Sequence, residues 1–306
     1  MKPKKKVLLL PLLIVLGAAI IFAVRQYAQK ANNGLSIAPS NFDLTINPEE
    51  TAKGDIRLTN LLDRTIKIKA EKRNFTAEGE EGSVFLTEKE TSFSLSSWIK
   101  ITPEIDTLNS RETKTFKFEI TPPKNAEPGG HFGSVVFSTL PDNQLKKTGA
   151  YLSQEIASLF LVRIPGKVTE KAVVESFSSN KKFYEFGPIT FTTRVKNLGG
   201  VHIKPYGSVS IEGILGQEFN TNLPSENILP GAVRKINATL HKKFLIGKYT
   251  ARLTAAYGAN NEQLTASYVF YVFPVRFGIA IAIVIFILFL IRKRLGRSLK
   301  ALLTGK

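Results

Sequence analysis

The side chains that can move protons, bind metal or attack a substrate are few in this chain, and their spacing suits none of those tasks. Histidine occurs three times, at His131, His202 and His241. His131 lies in EPGGHFG, where two glycines could bring backbone close to a ligand, although a turn entering a strand uses the same residues. His202 alternates with Val201 and Ile203, His241 precedes Lys242 and Lys243, and no pair has metal-ligand spacing. Glu78, Glu80 and Glu81 form an acidic cluster among glycines, but the Asp/Asn alternation of a calcium loop is missing and the stretch reads as a solvated hairpin tip. No motif nominates two carboxylates for glycoside hydrolysis. Cysteine is absent, which removes thiolate metal sites, disulfides and cysteine nucleophiles together. The chain is therefore expected not to be an enzyme. No catalytic, cofactor-binding or metal-binding residue is assigned, no cofactor is expected, and the ligand-binding residues are unknown.

Two aromatic features remain. Trp98, in SFSLSSWIKI, could carry a sugar ring but is expected in the core of a strand. Phe183, Tyr184 and Phe186 in KKFYEFGP crowd too closely for one strand face to hide all three, so one is expected at a surface or between domains.

The net charge of +17 suggests a nucleic-acid binder until it is located along the chain. Residues 1 to 33 hold six Lys/Arg and no acid, residues 273 to 306 hold seven and no acid, and the interior sets 29 bases against all 25 acids. Nucleic acid is not an expected partner. The terminal charge flanks two apolar runs, residues 7–24 after MKPKKK and residues 277–291 before RKRLGR. Each is close to the length that crosses a bilayer. Basic residues stay on the cytoplasmic side, so both ends are expected inside and the stretch between them outside. The first run reads either as a cleaved signal peptide or as a retained anchor. In the tail, Leu295, Leu299, Leu302 and Leu303 recur at helical spacing among Arg292, Lys293, Arg297 and Lys300, as in an interfacial helix on anionic lipid.

Between the runs the hydrophobic period is two, in short stretches bounded by Pro, Gly, Asn and Asp. Ile56 and Leu58, Phe116, Phe118 and Ile120, and Ile236 and Leu240 all alternate with polar neighbours. The expected fold is all-β, two tandem Ig-like β-sandwiches between an N-terminal signal or anchor helix and a C-terminal transmembrane helix. The signals recur in order. LTNLLDRTIK aligns Asn60 with Asn197 in VKNLGGVHIK, Thr107 aligns with Ile228, and Gly130 aligns with Gly247, at offsets that fall as the longer loops of the first half accumulate. Each Asn is expected to end a strand and bond its own backbone two residues on. The expected organisation is 1–33 signal or anchor and tether, 34–166 first sandwich, 167–273 second sandwich, 274–292 transmembrane helix and 293–306 cytoplasmic basic tail.

LSIAPSNFDLTINPEETAKGDIRLTN, the run through SSWIKITPEI, and PPKNAEPGGHFGSVVF resemble the first domain of the bacterial WxL-interacting proteins, over residues 35 to 140. GPITFTTRVKNLGGVHIKPYG and NILPGAVRK look like bacterial adhesion-related Ig-like domains, and an exterior pair followed by a span and a basic tail is the order of that family. The resemblance implies a cell-surface adhesion protein on a bacterial cell membrane that binds peptidoglycan or surface-protein partners, with peptidoglycan taken by the first domain and the second a spacer or partner-facing module; the terminal segments themselves make membrane lipid a partner. Two other functions fit the same sandwiches. A strand-donating, pilus-chaperone-like assembly factor needs an exposed edge strand in the first domain. A membrane-attached glycosidase needs two loop carboxylates facing one cleft. Residues 34–272 are expected to fold cooperatively with neither metal nor oxidant, because alternation supplies two cores. A circular-dichroism melt should be unmoved by chelator, and loss of the transition on adding chelator would contradict this.

Overall fold

A computed structural model describes residues 34–141 and 153–304, those after Arg292 by backbone alone. The apolar run 7–24 lies outside the described residues. The chain divides into two compact units, one holding residues up to Thr76 together with Phe85–Val168, the other Ala77–Val84 together with Thr169 onward.

Period-two alternation becomes strand throughout. In the first sandwich one sheet has the order β1 (Leu35–Ala38), β3 (Ala52–Asn60), β8 (Thr113–Ile120), β6 (Ile99–Thr102). The facing sheet has the order β2 (Asn41–Thr45), β10 (Glu155–Ile164), β9 (Gly129–Thr139), β4 (Ile66–Glu78), β5 (Ser83–Thr87), with β7 (Ile105–Leu108) also against β4. The second sandwich sets β11 (Ala172–Ser179), β13 (Ile189–Asn197), β16 (Val233–Leu240) against β12 (Phe183–Tyr184), β18 (Glu262–Val272), β17 (Gly247–Tyr257), β14 (Tyr206–Gly213), β15 (Glu218–Leu223). The last element, helix α1 (Val275–Thr304), begins three residues after β18 ends.

The two sheet plans match strand for strand. In each, the leading strand pairs antiparallel in one sheet (β1 with β3, β11 with β13) and the chain then crosses to the other sheet, where β2 or β12 runs parallel to the last strand. Only the first sandwich carries β6, β7 and a 3-10 turn at Ser96–Trp98, which accounts for its longer loops.

The paired asparagines hold equivalent corners. Asn60 Oδ1 accepts from Leu62 N–H at 3.0 Å, while its Nδ2 donates to the carbonyls of Arg64 and Asn109, each at 2.8 Å. Asn197 Oδ1 accepts from Gly199 N–H at 2.8 Å, and its Nδ2 donates to Val201 O at 2.8 Å and Ile228 O at 2.9 Å. Each therefore bonds backbone two residues on and also ties down the turn before β8 or β16. The bonds fix the alignment of the two halves. Leu108 O, a third acceptor of Asn60, stands where Ile228 O stands, and Gly129 (φ 139) opens β9 as Gly247 (φ 119) opens β17. The sequence alignment through Thr107 and Gly130 is thus one residue out at both places, because turns tolerate a slip that the ladder does not.

Each sandwich has its own core. In the first, Phe42 stacks on Phe160 with centroids 5.0 Å apart, and Phe118 meets Phe160 edge-on at 4.8 Å. Gly54 in β3 leaves the room that ring needs, since a Cβ there would stand 2.6 Å from Phe118 Cζ. In the second, Phe270 lies 5.4 Å from Phe191 and 5.5 Å from Tyr249, and all three are at most 1% exposed.

Asn197 is fully buried, so replacing it with Ala leaves Val201 O and Gly199 N–H without their side-chain partner, while Ile228 O keeps the N–H of Ile203. N197A is expected to lose about 2–3 kcal/mol in a urea melt. A loss below about 0.5 kcal/mol would show that the corner does not depend on it.

Candidate functional site

The residues with chemical potential are built into the scaffold. His131 in β9 is 4% exposed, with Nδ1 3.2 Å from Ser94 O and Nε2 2.9 Å from Glu127 O, and its ring lies 4.4 Å from that of Trp98. Trp98 sits at the end of the 3-10 turn, half-buried against the first core, and not inside a strand as its neighbours in sequence suggest. His202 is buried and His241 exposed. No group of three or more His, Asp and Glu side chains able to hold a metal ion occurs among the described residues.

The acidic cluster at the β4–β5 turn is neutralised by cations distant in sequence. Within the second compact unit, Arg194 Nε donates to Glu80 Oε2 at 2.8 Å, Lys235 Nζ lies 3.1 Å from Glu81 Oε1, and Lys235 N–H donates to Glu80 O at 2.8 Å. The Arg194 hydrogen bond holds the Glu80 carboxyl below its ordinary range against a smaller opposing effect of desolvation. The expected solvated tip is an ion-paired one. Sequence reasoning missed its partners because they lie more than a hundred residues away. Of the aromatic trio, Phe183 is 69% exposed and stacks on Tyr271 at 5.1 Å, Phe186 is 38% exposed, and Tyr184 packs against the second core.

The feature able to bind another molecule is an unfinished ladder. β10 pairs with β9 along its whole length, Glu155 to Ile164, but with β2 only from Leu159 to Arg163. Leu159 N–H donates to Ser40 O at 2.9 Å, and Arg163 O accepts from Ile46 N–H at 3.1 Å, so the odd residues of β10 face β2. By the period of two, Glu155 and Ala157 aim their N–H and C=O the same way, beyond the point where β2 has left for the opposite sheet. Among the described residues no backbone hydrogen bond closes this stretch, although β1 of the facing sheet runs beside it. Half-buried Ile156, Leu35 and Ile37, all packed against the core, flank the gap. β18 is open in the same manner above its short pairing with β12, but its outward side chains there are Gln263, Thr265 and Ser267.

No family model and no curated protein matches the chain. Solved structures of similar fold include a chaperone–tip adhesin complex of CFA/I fimbriae (11% identity, 78% of this chain and 98% of that one, TM-score 0.39). Others are the class 5 fimbriae chaperone CfaA (13%, 78% and 99%, 0.39) and a PapD-like domain of human CEP192 (13%, 44% and 88%, 0.31). At these identities and scores they carry no conclusion about activity. They do overturn the resemblance to the WxL-interacting proteins, because the similar structures are pilus-chaperone and PapD-like folds and no family model supports the assignment. The stretches that suggested it are β1 to β3, the 3-10 turn with β6, and β9 with its entry. They are strand-and-turn devices that a sandwich needs whatever it binds. The peptidoglycan-binding and adhesion roles rested on that resemblance and have no support left.

Among the described residues four carboxyls are held below their ordinary range, each chiefly by a cation's hydrogen bond: Glu80 by Arg194, Glu71 by Lys69, Asp106 by Lys114 and Glu119 by Lys53. A depressed carboxyl stabilises the fold above its unfolded pKa and ceases to as pH falls through the folded value. Lys114 and Arg194 are raised by the same pairs, and their contribution is lost only in strong alkali. The unfolding midpoint should be level from about pH 5.5 to 8 and drop below about pH 4. A fall centred between about pH 6 and 7 would contradict this.

Proposed function

We propose that the chain is a non-enzymatic binding protein, held on a membrane by α1, that takes up an extended segment of a partner protein at the open edge of β10. The observation that carries this reading is the outward-facing backbone of Glu155 and Ala157 beside half-buried apolar side chains. An added strand would make up to four hydrogen bonds there, at about 1 kcal/mol each, which alone amounts to about millimolar affinity. Further affinity must come from burying the exposed parts of Leu35, Ile37 and Ile156 under alternate side chains of the partner. β18 carries half-buried Ala266 and Tyr268 on the equivalent face, so the side chains do not separate the two edges, and a crosslinking comparison decides between them. Natural edges are blunted by lysine, proline or a bulge, and Glu155–Ser158 has none of these.

The membrane tether rests on α1. Its residues Val275–Arg292 are long and apolar enough to cross a bilayer, and none of that stretch is buried in the protein. The basic residues follow it, which supports a tail on the inside and sandwiches on the outside. The glycosidase alternative would need two loop carboxylates facing one cleft, and Glu80 and Glu81 are instead paired with Arg194 and Lys235.

The N–H of Ala157 faces the gap, so proline there removes no bond to β9. A157P is expected to melt within a few degrees of the parent protein, whereas I156P, which breaks the ladder, should lose about 3 kcal/mol. A photocrosslinker placed at the exposed Glu155 of the full chain in its native envelope should trap a protein adduct that A157P abolishes and T265P on β18 leaves intact. An adduct that survives A157P, or is lost with T265P, would reject β10 as the binding edge.

A further inference from the structure

The most exposed apolar loop side chains of the second sandwich are gathered at one end, although Leu198 (45%) and Tyr206 (52%) are exposed toward the other. That opposite end carries the turns near Val201, Ile203, Ile228 and Leu229, and those four side chains are all at most 9% exposed. At the end where β18 stops, the loops do the reverse. Ile214 and Leu215 in the β14–β15 turn are 73% and 71% exposed, and Phe244 and Ile246 before β17 are 77% and 54% exposed. The ladder places both loops level with the end of the sandwich. Gly247 pairs with Val272, Ile214 N–H donates to Lys248 O, and Lys248 pairs with Tyr271. Phe186 joins them through its contact with Phe244 at 6.1 Å, and Gly187 N–H donates to Lys243 O. Lys242, Lys243 and Lys248 are exposed at the same end, the first two over the rings of Phe219 and Phe244. Glu185, also there, is paired with Arg276 at 3.5 Å.

We infer that this end of the second sandwich is a lipid-docking surface, in which Ile214, Leu215, Phe244 and Ile246 enter the outer face of the bilayer while Lys242, Lys243 and Lys248 meet its phosphates. The inference rests on the reading of α1 as a membrane span. Given that span, the connection fixes the distance. Val275 opens the apolar stretch and Val272 closes β18, so the chain between them reaches about 10 Å at full extension. The headgroup layer is about 5–8 Å deep on each side of the hydrocarbon. Loops level with Val272 are thus held in or against the headgroups by covalent connection. Side chains that would be a solubility liability in water become an apolar foot with a cationic rim, the composition of an interfacial anchor. A protein partner would have to displace lipid already at the site.

The absence of cysteine makes the test direct, because any introduced cysteine is the sole labelling site. Full-length protein carrying L215C, F244C, Y206C or F286C, each labelled with an environment-sensitive fluorophore, is reconstituted in vesicles of phosphatidylcholine and phosphatidylglycerol. All four positions are more than half exposed, so the labels do not disturb a core. Shallow lipid-borne nitroxide should quench the labels at 215 and 244 several-fold more than the one at 206, and deep nitroxide should quench the one at 286. If 286 is quenched but 215 and 244 respond only to an aqueous quencher, the docking surface is refuted and the span stands. Protection of 215 and 244 from both quenchers would mean that protein covers them, which also overturns the proposal. Failure to quench 286 would remove the span, and the inference with it.

Discussion

Backbone pairing at the seam of each sandwich is the constraint on which the rest depends. A two-sheet sandwich has to close along the edge where its first and last strands meet, and buried N–H and C=O groups cannot be left there without partners. This chain closes the seam by giving part of the first strand to each sheet. β1 completes one sheet and β2 crosses to run parallel with β10, and β11 and β12 do the same against β18. The core lies sealed under the closed part. The part that stays unpaired is what the last strand can offer to another chain.

The fold was largely legible because its signals are local. Alternation identified the strands, and Asn60 and Asn197 announced the duplication through a hydrogen bond that spans only two residues. Whatever depended on distant partners was not legible. Nothing near Phe160 shows that it will pair with Phe42, more than a hundred positions earlier, or that β2 will run parallel to β10. Arg194 and Lys235 do not advertise themselves as the partners of Glu80 and Glu81. Ile99 after Trp98 points to a strand, whereas the turn ends on Trp98 itself and β6 begins one residue later.

The family assignment failed for a related reason. Prolines, glycines and asparagines at strand ends record how a sandwich turns its corners, and unrelated sandwiches turn them alike. In the proposed reading, function lies in what the scaffold leaves unfinished. In the first sandwich that is a stretch of edge, and in the second it is a cluster of apolar loops around the point where the chain enters α1.

The central claim, that β10 is half-paired, can be read from single amides. Residue-resolved hydrogen exchange on the partner-free chain should show Glu155 and Ala157 exchanging rapidly while Ile156 and Ser158, bonded into β9, stay protected, and Leu159, bonded to Ser40 O, should be protected as well. Equal protection across residues 155 to 159 would mean that the edge is already covered by the chain itself, and the account would be wrong.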